Sequence, residues 1–133
     1  MKENPETRSR IMRAVKGKNT KPELVVRRLA HAMGYRYRLH RKDLPGKPDL
    51  VFPKFRRVIF VHGCFWHGHD CVRGARIPKA NAEYWRSKII QNGLRDTANI
   101  AELKSLGWRT AIIWECELKR LEWVRRRLAK FLL

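Results

Sequence analysis

Residues 60–71 read FVHGCFWHGHDC, and within them Cys64, His69 and Cys71 set two thiols and an imidazole inside eight positions. Cys116 is the third and last cysteine of the chain. Three thiolates and one imidazole are a tetrahedral zinc donor set, and a closed four-ligand site leaves no position for substrate, so its role would be to pin a loop. The same cysteines also read as small buried side chains of a core. Their placement favours zinc: Cys64 is expected directly after one strand and Cys116 at the end of the last, and neighbouring strand ends can bring the fourth ligand to the other three.

A second constellation starts at LPGKPDLVF, where Asp49 follows a proline at the start of an expected strand. A lone Pro-Asp is commonly a turn whose carboxylate caps nearby backbone. Here the next strand, VIFVHG, runs into the Cys/His cluster. A carboxylate at one strand start with polar groups on its neighbour can hold a hard cation against a phosphodiester.

The bulk composition sets the partner. Lysine and arginine number 31 against 12 acids, a formal net charge of +19 over 133 residues, and such a chain repels itself unless a polyanion lies over it. Nucleic acid is the expected partner, with DNA and RNA not separated by charge. No run approaches the roughly 20 apolar residues of a membrane span, and the opening MKENPETRSR lacks the apolar stretch of a signal peptide. A cytoplasmic protein is expected, with its thiols reduced.

The elements that must position these groups follow from periodicity and punctuation. Residues 4–15 predict a short helix, and the lysine-rich KGKNTK after it completes a basic arm over about residues 1–20. Thr20 and Glu23 form a capping box, with apolar Leu24, Val25, Leu29, Ala30 and Met33 at helical spacing before Gly34. YRYRLH from Tyr35 alternates as a half-buried strand, LPGKP is a turn, and DLVF and RRVIFVHG are strands. Asn81 to Leu106 is a long helix stopped by Gly107, WRTAIIWEC a buried strand, and Leu121 to Leu132 a basic amphipathic helix. A helix crossing between the third and fourth strands predicts an α/β fold, one domain over residues 1–133, with a mixed sheet covered on both faces.

The blocks TRSRIMRAV, LPGKPDLVF, VIFVHGCFWHGHDC, YWRSKI and GWRTAIIWECEL, in this order and spacing, resemble the very-short-patch repair endonucleases, bacterial enzymes that nick DNA at T:G mismatches. The likeness covers nearly the whole chain. It implies the restriction-endonuclease-like fold of PD-(D/E)xK type, a mixed sheet flanked by helices, with a structural zinc site. It also implies magnesium held by Asp49 and the backbone carbonyl of Val61, His67 as general base or proton shuttle, and His62 and Glu23 supporting the waters around the metal. Cys64, His69, Cys71 and Cys116 match the structural zinc ligands. The pattern departs from the wider fold in one respect: where that fold places an acid and a lysine, this strand reads Phe60-Val61-His62, with His62 roughly at the lysine and no acid two positions before it. More of the magnesium shell must then be water, which magnesium tolerates. Apart from the resemblance, Glu23 reads as a helix cap, His62 as a packing histidine behind the site, His67 as a solvent-exposed neighbour of the zinc loop, and His31 and His40 as structural.

For DNA, the resemblance implies that Phe65, Trp66 and Trp85 wedge into the base stack beside the mismatch, where unstacking is easiest. Trp85 serves equally as core of its helix, and Trp108, Trp114 and Trp123 read as core or rim. Arg13, Lys16, Lys18 and Lys21 are expected on phosphates. The implied substrate is double-stranded DNA with a T:G pair left by deamination of 5-methylcytosine, cut 5′ to the thymine by a monomer working at the nucleoid, alongside a cytosine-5 methyltransferase and a repair polymerase. The chain ends soon after its last helix, so specificity carried on a longer tail is not expected. Two other readings stand: a nuclease of the same fold acting on other DNA structures, and a non-catalytic zinc DNA-binding module in which Asp49 only caps a turn.

Overall fold

The computed structural model describes residues 20–39, 41–71 and 77–133. Helix α1 (Lys21–Ala32) is followed by strands β1 (Arg38–Leu39), β2 (Leu50–Phe52) and β3 (Arg57–His62). The long α2 (Ala82–Ser105), β4 (Arg109–Trp114), a 3₁₀ turn (Glu115–Lys119) and α3 (Leu121–Phe131) complete the chain. The sheet runs β1-β2-β3-β4, antiparallel at its first two pairings and parallel between β3 and β4, which α2 connects. The helix and strand order and the mixed sheet are those read from the sequence.

Strand periodicity of two divides the core. Leu50, Phe52, Ile59, Ala111 and Ile113 pack on one face against Val26 and Ala30 of α1 and Val124, Leu128 and Leu132 at α3. Val51, Val58 and Phe60 face the other way, against Leu44, Leu103 and Trp108. Each such side chain, fully buried, contributes about 1.5–3 kcal/mol of hydrophobic stabilisation. The alternation that sends Phe60 toward α2 sends His62 there too, and Trp114 lies opposite His62 in the parallel ladder. Both therefore arrive on the α2 side of the sheet.

Two elements differ from their expected bounds. The strand expected from Tyr35 begins only at Arg38, because the Tyr35 N–H is taken by the Ala30 carbonyl at the end of α1 (3.1 Å). The Tyr35 and Tyr37 rings instead pack edge-on against Phe52, at 6.5 and 6.2 Å. Cys116, expected to end the last strand, sits in the 3₁₀ turn beyond it; the Trp114 N–H donates to the Glu117 carboxylate at 2.7 Å, which turns the chain out of the sheet. The short helix expected over residues 4–15, together with Arg13, Lys16, Lys18 and His40, lies outside the described residues. Among the described residues no helix is long and apolar enough to cross a membrane.

Candidate active site

Asp49 stands one residue before β2, where the β2–β3 ladder has stopped at Leu50 and Ile59. Val61 thus has no strand partner on that side, and its N–H donates to Asp49 Oδ2 at 2.6 Å. The N–H and C=O of a strand residue leave the backbone on the same side, so the Val61 carbonyl faces the same gap. Glu23 approaches from α1: its Oε2 accepts from the Thr20 N–H at 3.3 Å and its Oε1 from Arg27 at 2.8 Å. Only 2% of Glu23 is exposed. The cap read from the sequence is present, and the same side chain adjoins Asp49.

Burial pushes the Asp49 carboxyl up to about 7; the adjoining Glu23 adds to the shift, and the Val61 N–H and Arg27 oppose it. Two acids held together out of water, beside a free carbonyl edge, make a hard-oxygen site of the kind a divalent cation neutralises. His62, next after Val61, is buried, which pushes its imidazole down to about 3 with His67 contributing, so it stays neutral. Its Nδ1 finds no hydrogen-bond partner among the described residues. Two acids and a carbonyl edge fit a hydrated magnesium ion, with the buried imidazole of His62 on the residue that follows the carbonyl.

His67 stacks on His62 with ring centroids 3.7 Å apart and planes 3° from parallel. Its Nδ1 meets Asp96 Oδ2 of α2 at 2.6 Å. That bond fixes the tautomer with hydrogen on Nδ1 and leaves Nε2 free to take a proton, the arrangement of a carboxylate-oriented base. His62, His67 and Asp96 are near enough to share an ion. Parallel stacked rings, however, send their lone pairs along separate planes, so they do not converge on one metal; the geometry suits proton transfer.

Asp96 was not anticipated from the sequence. A signal was present: Trp85, Ile89, Asn92, Asp96, Ile100 and Leu103 recur at steps of four and three, one stripe along α2. Two polar residues inside an otherwise apolar stripe mark a face that covers something polar. Trp114, expected as core or rim, stacks on His69 at 4.1 Å and 12° and meets His62 edge-on at 5.1 Å, linking the two histidine sites.

Cys64, His69, Cys71 and Cys116 have ligand atoms all within 4.8 Å of one another. Tetrahedral zinc with sulfur at about 2.3 Å requires ligand atoms about 3.8 Å apart; Cys116 Sγ lies 3.4 Å from His69 Nδ1. Burial raises the Cys64 thiol to about 12 and raises Cys116 as well. Three cysteines that form no disulfide, two of them disfavoured as lone thiolates and gathered with one imidazole, fit a cation that stabilises them.

Phe65, Trp66 and Trp85 form a ring cluster with centroids 5.1–5.6 Å apart, all partly exposed. Trp85 joins the loop aromatics rather than the sheet core. Lys21 is exposed at the start of α1; Trp108 is buried in the core and Trp123 is 44% exposed.

Residues 2–73 match the family described as DNA mismatch endonuclease Vsr. The chain belongs to the Vsr family. It is 53% identical over 129 residues to the Type II nicking enzyme V.XorIIP of Xanthomonas oryzae pv. oryzae, covering 97% of this chain and 94% of that one. It is 42% identical over 116 residues to the DNA mismatch endonuclease Vsr of Escherichia coli K12, covering 87% and 74%. The fold is similar to the homing endonuclease I-Bth0305I catalytic domain, with a TM-score of 0.58 at 22% identity over 85% of this chain and 94% of that one. As a Vsr protein the chain is a DNA mismatch endonuclease, built on a restriction-endonuclease-like mixed sheet flanked by helices.

Proposed function

We propose that this Vsr protein is a magnesium-dependent, strand-specific endonuclease that nicks double-stranded DNA 5′ to the thymine of a T:G mismatch. The observation that carries the reading is the chain of neighbours from Glu23 and Asp49 through Val61 and His62 to His67 and Asp96, with Phe65 and Trp66 on the loop of His67 packed against Trp85 of α2. Asp49 and the Val61 carbonyl would hold magnesium, with Glu23 and His62 supporting the waters around it. When bound, the ion supplies positive charge to the scissile phosphate and the departing 3′-oxygen. His67 Nε2 takes the proton of the attacking water while Asp96 holds the ring and the charge it gains. Water attacks phosphorus in line as the P–O3′ bond breaks, and the departing 3′-oxygen takes a proton from solvent water, leaving a 3′-hydroxyl and a 5′-phosphate.

Cys64, His69, Cys71 and Cys116 would hold zinc and fix the end of the aromatic loop to the turn after β4. The partly exposed rings of Phe65, Trp66 and Trp85 insert beside the mispair, where stacking is weakest. Lys21, with Arg13, Lys16 and Lys18, meets phosphates. The protein works as a monomer within one domain, on lesions left at the sites of a cytosine-5 methyltransferase, and hands a nick to a repair polymerase. The nicking enzymes among its relatives agree with single-strand cleavage. A panel of end-labelled duplexes carrying T:G, each other mismatch, a branch or no lesion tests the substrate. Cleavage concentrated on T:G supports the reading, and equal cleavage of branched or matched DNA overturns it.

A further inference from the structure

The stretch from Phe65 to Gly68 rests on α2 through each of its four residues. Phe65 and Trp66 pack on Trp85 at 5.6 and 5.5 Å. The Trp66 carbonyl accepts from Asn92 Nδ2 at 2.7 Å, and His67 Nδ1 meets Asp96 at 2.6 Å. Gly68, at φ +62, lies so close that a Cβ there would fall 2.6 Å from Ile89 Cγ2. Residues 85, 89, 92 and 96 share one helix face over about 16 Å of axis. The loop is also a tight turn in itself, with His67 N–H on the Gly63 carbonyl at 3.2 Å and His69 N–H on the Cys64 carbonyl at 2.9 Å. Trp66 and His67 are adjacent on this turn, so one cannot shift far along the helix without the other.

Asn92 is 9% exposed and spends its amide on a loop carbonyl rather than on the helix or solvent. A buried donor aimed at the backbone between the aromatic and the base fixes their spacing, and the glycine at Ile89 sets how closely the loop seats. Misplacing a reacting group by about 1 Å can cost about a hundredfold in rate.

Resting on the T:G reading above, we propose that this face of α2 couples recognition to cleavage, with Asn92 and the Gly68–Ile89 contact as positioning elements that hold His67 in register with the inserted aromatics. Selectivity for the mismatch is then expressed in the cleavage rate at saturation as well as in binding.

The test is single-turnover nicking of T:G and matched duplexes over a range of enzyme concentrations, which separates the maximal rate from half-saturation. The variants are Gly68→Ala, Asn92→Ala, Asn92→Asp and Gly68→Ala/Ile89→Ala. Gly68→Ala should lower the maximal rate on T:G about 10- to 100-fold and move half-saturation less than about threefold. Adding Ile89→Ala makes room for the new Cβ and should restore part of that rate, with the positive φ at residue 68 limiting the recovery. A maximal rate that falls while half-saturation holds, and recovers when the overlap is removed, is a pattern that a general loss of folding or of DNA binding would not produce. Asn92→Ala should lower the maximal rate about five- to tenfold; Asn92→Asp keeps the shape but has no N–H to donate, and should be at least as slow. Wild-type rates in Gly68→Ala and Asn92→Ala, losses confined to half-saturation, or no recovery in the double variant would overturn the coupling while wild-type T:G selectivity persists. A wild type with no T:G preference would overturn the substrate reading and the coupling with it.

Discussion

Asp96→Asn removes one charge from the His67 partner and little volume. The bond it weakens is 2.6 Å long between side chains 23% and 24% exposed. A hydrogen bond to a charged group contributes about 1.5–3 kcal/mol, and exposure of about a quarter on each side places this one in the lower half of that range. The loss of about 1.5–2 kcal/mol corresponds to about a 10- to 30-fold slower cleavage step. Asparagine can still accept from Nδ1–H, so the ring keeps an orienting partner and the variant should fold and bind DNA as before. Deleting the base itself, in His67→Ala, should cost about 10²- to 10⁴-fold. Because Asp96 acts only through His67, the double variant should cut within about twofold of His67→Ala alone. The assay is single-turnover nicking of a T:G duplex at saturating enzyme, with melting temperature and zinc content measured alongside. Wild-type cleavage by Asp96→Asn, or a full further 10- to 30-fold loss when it is added to His67→Ala, would refute the orienting role.

Asp49→Asn keeps the acceptor for the Val61 N–H but removes the charge for magnesium; nicking should fall at least about a hundredfold with mismatch binding retained, measured on the same duplex. The Asp49 carboxyl at about 7 must lose its proton before it holds a cation, so apparent magnesium affinity should rise up to about tenfold per pH unit below 7 and level off above it, and a flat titration from pH 6 to 8 would contradict this. The same shift has a stability sign: the folded value lies above the ordinary carboxylate range near 4, so its contribution without metal is full below that range and lost as pH rises through 7, and magnesium should raise the melting temperature more at pH 8 than at pH 6. Elemental analysis should find one zinc per chain, and Cys116→Ala should lose it and melt lower. Replacing Phe65 and Trp66 by alanine should weaken T:G binding by several kcal/mol at most, at about 1–3 per aromatic, and matched-duplex binding far less; equal losses on both duplexes would place these rings among general contacts.

Much of this architecture is legible in residue order. The Thr20–Glu23 capping box marks the start of α1, glycines 34 and 107 follow the ends of α1 and α2, and the alternation in VIFVH assigns His62 to the face where it lies. The cysteine and histidine spacing gathers the four donors that the fold brings within 4.8 Å. Asp96 and Asn92 were not legible because periodicity shows that a helix has a face but not which loop docks on it. That depends on where α2 crosses back over β3 and β4. Trp114 escaped for the same reason: parallel register alone sets it opposite His62. The raised Asp49 carboxyl follows from burial beside Glu23, a contact between α1 and the start of β2 that neither segment encodes by itself.

The most direct measurement maps the nick on duplexes labelled on either strand, with T:G or matched pairs, in magnesium and after its removal. Cleavage of the thymine strand alone, at the phosphodiester 5′ to the mismatched thymine, with a 5′-phosphate product and only in the presence of magnesium, is the predicted result. Cutting of both strands, of matched DNA at the same rate, or undiminished cutting in chelator would contradict it.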